Sequence, residues 1–463
     1  MPRTRAGRAA EGEQPAPRRS ATGRSPTALA LLPWLVIGAA GIGVLAAFSP
    51  EAAFGTALVA TVALLFFNSE YKTEVVVGLY WLSFCVYETV ISSLSITGFF
   101  YPFYAAFIVG LVAIVIGPGL TVRRTLFWLL VGYLVVIAAS FVGFLEPIDF
   151  NVVQRVLACL IAVIVYLQFR SRGGITVVTG SAVFTSLVLA VWVIVSAIQG
   201  GFAYRGDVNV NENVVAFYIG LGFVVAVCYG VQAFGATRRG GNAVLMLVVT
   251  GVLAYALLLL ASRGMVIAAG IALVALIVRL VLQDPRKLLL VLALLAISAA
   301  GMLLPGGEGL MQRFTGERVE SGGSRTPIWR AVYDAYRDGD VKELLLGNGF
   351  DSSQAVVSRG FGTLTSTHNA YLEVLYEFGL VGIGLFLALH VAAIVVSWRV
   401  RGALGLVMYS LVFFLLGANV TSTAPDGFLY WTALALALAI GTWGRTAPRV
   451  RGEPAPPDGQ ALA

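Results

Sequence analysis

Apolar runs of about 20 residues recur along almost the whole chain, and this feature restricts the possible fold most strongly. A helix of that length spans the hydrocarbon core of a bilayer, where backbone polar groups must be paired within the chain. The alternating ten-residue segments typical of a transmembrane barrel are absent. Charged residues make up 12% of the chain, whereas a soluble domain carries about 25%. The sequence therefore predicts an all-α, polytopic membrane bundle of about 12 to 14 transmembrane helices with one larger extracytoplasmic loop.

About fourteen spans can be placed, and the short basic clusters between them test their orientation. The predicted spans are 28–48, 52–67, 75–97, 99–120, 125–145, 152–169, 175–199, 213–235, 243–261, 264–282, 287–304, 371–398, 403–421 and 427–443. The clusters fall on the same side as the basic N-terminal tail, and cytoplasmic loops are enriched in Lys and Arg. Both ends of the chain are therefore predicted to be cytoplasmic. The net charge of +7 is explained by orientation and does not indicate nucleic-acid binding.

Five segments follow from this pattern. They are a disordered tail 1–26, eleven spans in 27–304, an extracytoplasmic loop 305–370, three spans in 371–443 and a second tail 444–463. Within the loop, the stretch Arg325–Arg337 places one apolar stripe along a helix. The stripe residues are Ile328, Trp329, Val332 and Tyr336. This spacing predicts an amphipathic helix that lies on the bilayer surface.

A histidine and three arginines are predicted to share the extracytoplasmic side. His368 lies where the large loop meets an apolar run, and histidine can take or give a proton near neutral pH. Arg205, Arg263 and Arg325 lie in or beside connections on the same side. Arginine binds phosphate bidentately and is costly at membrane depth. Together they would suit a pyrophosphate-bearing lipid and a proton acceptor.

Each of these residues also has a purely structural explanation. Arg263 would anchor a helix end by snorkelling, and Arg205 would pair with Asp207. Arg325 would interact with acidic residues of its own loop, and His368 would simply begin a helix. These alternatives weaken when the residues are taken together, but the sequence leaves them open.

The second histidine of the chain, His390, is 22 positions beyond His368 in the same predicted span. On a straight helix the two residues would be about 33 Å apart. His390 is therefore predicted to lie near the cytoplasmic face and to have a structural role.

Other kinds of chemistry have weaker signals. The three cysteines lie inside apolar runs without ligand spacing, and no zinc or phosphate-loop motif is present, so neither a metal nor a cofactor is predicted. Glu88 lies within an apolar run and gives the main support for an alternative function, a transporter or flippase of a lipid-linked glycan or an anion.

Several short elements surround the candidate residues. His368-Asn369 begin an HN-x-x-L element, which is followed by an E-x-G-hydrophobic-hydrophobic-G element at Glu377–Gly382. The others are Ser324-Arg325 with Trp329, Gly347–Phe350, Ser262-Arg263-Gly264, and Asn211–Asn213 with Ala216. Together these elements resemble those of the bacterial O-antigen ligase and polysaccharide polymerase superfamily.

The resemblance implies a GT-C-like helical scaffold in a bacterial plasma membrane. It also implies metal-independent, inverting transfer of a glycan from a polyprenyl-pyrophosphate carrier to a hydroxyl of a glycan or lipid-glycan acceptor. On that basis His368 is the general base, and Arg263 and Arg325 hold the pyrophosphate. Arg205 would help to place the donor, and Asn369 would orient His368 or the acceptor. The shared elements do not separate a ligase from a polymerase.

Overall fold

The protein is helical throughout the part of the chain that the structure describes. The computed structural model describes residues 37–42, 44, 124–144, 160, 163, 166, 172–199, 212–234, 240–283, 285, 292, 296, 325–361, 366–422 and 428–442. The main helices are α1 Arg124–Phe144, α2 Arg172–Ile198, α3 Glu212–Phe234, α4 Gly240–Leu260, α5 Arg263–Gln283, α6 Arg325–Arg337, α7 Val341–Leu346, α8 Ser352–Phe361, α9 Ala370–Arg399, α10 Ala403–Ala418 and α11 Phe428–Ala439. A 3-10 turn, Ile440–Thr442, follows α11.

Five of these helices, α2 to α5 and α9, are long and apolar enough to cross a membrane. The chain is a multi-pass membrane protein with a helical bundle, so the predicted fold class is confirmed. Helices α1 to α5 and α9 to α11 occupy eight of the predicted spans within a few residues. Spans 52–67, 75–97 and 99–120, with Glu88, lie outside the described residues, and spans 28–48, 152–169 and 287–304 are described only at scattered positions.

Helix α3 lies at the centre of the part of the bundle that the structure describes. It is apolar on all sides, which is typical of a helix that is surrounded by protein, and it packs against α2, α4, α5 and α10. Two of its glycines permit this close packing. A side chain at Gly220 would overlap the Phe414 ring, and one at Gly222 would overlap Ser186.

Small residues also bring α5 and α10 together. A side chain at Gly417 would overlap Ala268, and a side chain at Gly264 would overlap Thr421. Small residues let helix backbones approach closely inside a membrane. As a result, the N-terminus of α5 lies beside the residues that follow α10. The other end of α5 is tied to the α9–α10 joint, where buried Arg279 donates to the carbonyls of Gly405 and Val400 at 2.5 Å.

Helix α9 is bent sharply at Gly379. This residue has φ 64° and ψ −165°, a conformation essentially restricted to glycine. The bend leaves carbonyls at the end of the first helical segment without helical partners. The loop after α7 supplies them: Asn348 N donates to Tyr376 O at 2.9 Å, and Gly349 N donates to Glu377 O at 3.1 Å. The predicted single straight span 371–398 is therefore two segments joined at a fixed corner.

The amphipathic helix predicted from Arg325 to Arg337 is present as α6, but its apolar stripe faces protein. Ile328, Val332 and Tyr336 are buried and pack against Val357 of α8 and Tyr376 of α9. The prediction that this helix lies with its apolar face on the bilayer is wrong. The sequence pattern identified the buried face, but α8 and the first segment of α9 cover it.

Candidate active site

Arg263 is the first residue of α5, after a very tight joint with α4. Ala261 takes a left-handed backbone conformation (φ 49°), and α5 begins two residues later. Ser262 donates from its hydroxyl to the side-chain oxygen of Asn213, near the start of α3, at 2.9 Å. Two of the short elements singled out in the sequence, around Asn213 and around Ser262, thus meet at one end of the bundle.

Arg325, the first residue of α6, reaches the same end of the bundle. Its Nη1 donates to the Thr421 carbonyl at 3.1 Å. Gly264, the second residue of α5, lies against the Thr421 side chain, because a Cβ atom there would overlap it. Thr421 therefore lies between the two arginine-bearing helix starts. Among the described residues, Arg325 bonds this carbonyl and not a carboxylate, in contrast to the structural explanation that paired it with acidic residues of its loop.

His368 lies in the turn before α9 with a strained backbone. Its φ of 52° is left-handed, which costs a residue other than glycine about 1–2 kcal/mol. Such conformations persist when the surroundings fix them. Here Trp329 Nε1 donates to Thr367 O at 2.9 Å, and Thr367 Oγ1 donates to Asn369 O at 3.0 Å. The half-buried ring places Nδ1 3.2 Å from the Ser366 hydroxyl.

Asn369 caps α9. Its side-chain oxygen accepts from the backbone N–H groups of Tyr371 and Leu372, both at 3.1 Å. These N–H groups have no partner inside the helix, so a capping side chain stabilises its start. The cap holds the residue that follows His368 in place. A substrate contact by Asn369 stays a prediction.

The charges of the site act on one another. Burial lowers the pKa of His368, and the positive charge of Arg325 lowers it further. Burial also lowers the pKa of Arg325, with a second contribution from Arg263. The contacts of Arg325 and Gly264 with Thr421, and of Trp329 with Thr367, bring the segments that carry these three residues together. Because its pKa is lowered, His368 is neutral at pH 7, the state in which an imidazole can accept a proton.

The structure thus brings together four of the five predicted site residues, Arg263, Arg325, His368 and Asn369. The fifth, Arg205, lies outside the described residues. The structure also adds a segment that the sequence did not single out. Asn419 O accepts from Ala370 N at 2.8 Å, and Thr421 O accepts from Arg325. The segment 419–421 therefore joins the starts of α5, α6 and α9. In the sequence it is only a short polar stretch after an apolar run, and it carries no distinguishing motif.

His390 lies closer to the site than the sequence predicted. Because α9 bends at Gly379, the Tyr371 and Phe386 rings are 6.1 Å apart, whereas fifteen positions of straight helix would separate them by about 22 Å. The His390 ring lies 4.6 Å from the Phe386 ring. The predicted separation of about 33 Å between the two histidines assumed a continuous helix and is wrong.

The sequence around this site matches known proteins. Residues 246–387 match the family described as O-Antigen ligase. This segment contains Arg263, Arg325, His368 and Asn369, which together form the site described above. By this match, residues 246–387 form an O-antigen ligase segment. A curated relative, an O-antigen ligase of Pseudomonas aeruginosa, is 32% identical over 203 residues, which is 41% of this chain and 48% of that protein. The chain thus spans about half the length of the curated relative it matches.

The O-antigen ligase segment ends at residue 387. The residues of the segment 419–421 that contact the site, and His390, lie beyond that end. The residues Asn419 and Thr421 follow α10, and His390 lies in the second half of α9. No group of three or more His, Cys, Asp or Glu side chains that could hold a metal ion occurs within the described ranges. The predicted metal independence is not tested by this.

Proposed function

We propose that this protein is a membrane glycosyltransferase that moves a glycan from a polyprenyl pyrophosphate to an acceptor hydroxyl, in the synthesis of a bacterial surface polysaccharide. The observation that carries the proposal is the convergence of Arg263 and Arg325 beside neutral His368. The match of residues 246–387 to the O-antigen ligase family supports the lipid-linked glycan as the substrate class.

The two arginines bind the diphosphate. Each guanidinium presents a planar fork of donors that matches phosphate oxygens. Both begin helices, so they are held by well-packed elements and not by free loops. Their charges stabilise the negative charge that develops on the leaving group. In the proposed reaction these two guanidinium groups supply the charge stabilisation, and the reaction is proposed to be metal-independent. Arg205 is proposed to help place the donor.

His368 acts as the general base. When Nδ1 donates to the Ser366 hydroxyl, Nε2 is the free acceptor. Nε2 takes the proton of the acceptor hydroxyl as its oxygen attacks the anomeric carbon. The bond from that carbon to the pyrophosphate oxygen breaks, and the pyrophosphate leaves with the electron pair. One direct displacement inverts the anomeric centre.

The site is proposed to face the extracytoplasmic side, with both chain ends in the cytoplasm. The α9–α10 joint, which carries Arg399 and Arg401, lies with Arg279 at the opposite end of α5 from the site. Basic connections on one side and the site on the other agree with the positive-inside rule. The segment boundaries 1–26, 27–304, 305–370, 371–443 and 444–463 belong to the same proposal.

The direct test uses purified protein in proteoliposomes with a polyprenyl-pyrophosphate oligosaccharide and an acceptor glycan. We expect a covalent product that is longer than the acceptor. A ladder of products identifies a polymerase, and a single addition to a separate acceptor identifies a ligase. Movement of the donor across the bilayer without any covalent product would contradict the proposal and support the transporter alternative.

The pH dependence of transfer should depend on Arg325. A base works only when deprotonated, so activity is present above the His368 pKa and is lost as the pH falls through it. Arg325→Gln removes one of the two causes that lower this pKa. The acid limb of kcat/KM therefore moves to higher pH, while kcat/KM above the limb falls about tenfold or more, because a charged hydrogen bond is lost. The measurement is a pH profile of initial transfer rates.

Arg330→Gln is the matched control, because Arg330 is exposed on the same helix. Its profile should coincide with that of the wild-type protein. An acid limb that stays in place in Arg325→Gln would contradict the coupling between Arg325 and His368.

A further inference from the structure

His390 is buried beneath the site in a defined hydrogen-bonding state. It is 1% exposed, and its Nδ1 lies 2.8 Å from the Phe386 carbonyl. A carbonyl oxygen only accepts, so Nδ1 carries the hydrogen and Nε2 of the neutral ring is an acceptor. The Tyr430 hydroxyl lies against this Nε2 in a short hydrogen bond. Tyr430 therefore donates to His390.

The same hydroxyl continues the chain of hydrogen bonds toward the site. Asn419 Nδ2 donates to the Tyr430 oxygen at 2.9 Å. Asn419 thus donates to Tyr430, and Tyr430 donates to His390 on α9. Asn419 is fully buried, as is Tyr430. Hydrogen bonds in series strengthen one another in a buried environment, so the side chain of Asn419 is firmly held.

The backbone of Asn419 holds the start of α9. Its carbonyl accepts from Ala370 N at 2.8 Å, and Ala370 follows His368 by two residues. The N–H groups of the first helical turn have no partner within the helix. The carbonyl of Asn419 thus fixes the chain just after the strained, left-handed His368.

We propose that His390, Tyr430 and Asn419 form a positioning relay for His368. The relay fixes Asn419, and Asn419 in turn fixes the start of α9 and the left-handed turn that aims the His368 ring at the acceptor. This inference rests on the proposed function, in which His368 is the base. The three relay residues do not touch the substrate. They act through the backbone at Ala370.

Tyr430→Phe is the central test, because it removes one hydroxyl and keeps the shape of the ring. A displacement of about 1 Å at a reacting group can reduce the rate about 100-fold. We expect kcat for glycan transfer to fall at least fivefold, while KM for the lipid-linked donor stays within twofold of the wild-type value. The donor contacts come from arginines on other helices, so donor binding should not change.

The other variants test whether the residues act as one unit. His390→Phe should reduce kcat as much as Tyr430→Phe does. The double variant should reduce kcat no more than either single variant. His390→Gln keeps an acceptor for the Tyr430 hydroxyl and should recover part of kcat. If His390→Phe fails to fold, the kcat values of Tyr430→Phe and His390→Gln are sufficient to test the relay.

Tyr229→Phe is the matched control. Its hydroxyl also forms a hydrogen bond within the bundle, to Thr179 at 2.7 Å, but it lies away from the site on α3. We expect a similar change in thermal stability with wild-type kcat. Equal kcat losses in Tyr430→Phe and Tyr229→Phe, or additive losses in the double variant, would overturn the relay.

Different results would contradict the proposed function and the relay. If the wild-type protein makes no covalent product, or if removal of the His368 side chain leaves transfer intact, the proposed function fails. If transfer depends on His368 but Tyr430→Phe has wild-type kcat, the relay is wrong and the proposed function stands.

Discussion

His368→Asn is expected to reduce glycan transfer by about 100- to 10,000-fold, the usual contribution of a general base. Asparagine is the informative replacement because it tolerates a left-handed backbone, which His368 adopts with φ 52°. The variant therefore removes the base without straining the turn. The measurement is the initial rate of product formation in proteoliposomes at saturating donor.

His368→Gly is the companion variant, since glycine accepts the same backbone conformation without a side chain. Both variants should purify as monodisperse protein with thermal unfolding close to that of the wild type. A variant that keeps more than about a tenth of the wild-type rate would exclude His368 as the base, which contributes at least about 100-fold in known enzymes.

Gly379→Ala is expected to damage both stability and activity. The conformation at Gly379 costs other residues about 1–3 kcal/mol. The added methyl group would also overlap the Leu345 carbonyl and Gly347 N, and overpacking typically costs about 1–3 kcal/mol more. We expect a clearly lower midpoint of thermal unfolding in detergent. We also expect transfer to fall by about 100-fold, because the first segment of α9 that carries the His368 turn shifts.

Gly384→Ala is the control on the same helix. A methyl group at Gly384 meets no atom within 4 Å, and alanine is a better helix former than glycine. This variant should be as stable as the wild type or slightly more stable, with unchanged transfer. If Gly379→Ala behaves like Gly384→Ala, the corner in α9 is not required for the site.

The positions of the helices could be predicted from the sequence because they depend on local properties. An apolar run such as Glu212–Phe234 forms a helix in lipid whatever its neighbours are. The apolar stripe predicted for α6 is also confirmed, because Ile328, Val332 and Tyr336 are buried. The surface that covers this stripe could not be predicted, because an apolar stripe packs equally well against lipid or against another helix.

The chemistry of the site could be predicted only in part. Arginine at a span boundary and histidine at a loop end are visible as rare residues in an apolar chain. The structure brings the segments that carry Arg263, Arg325 and His368 together. Asn419 and Thr421 could not be found in this way. They contribute through backbone carbonyls, which every residue has, so their identity carries no signal.

The sequence by itself determined a helical membrane bundle and the residue types that can bind a pyrophosphate and take a proton, because hydrophobic length and ionisable chemistry are properties of short segments. Only the tertiary structure decided where those residues meet. The glycine corner at Gly379 brings His390 under the site, and the segment 419–421 joins three helix starts. These contacts connect residues far apart in the chain, and close packing between helices fixes them in place.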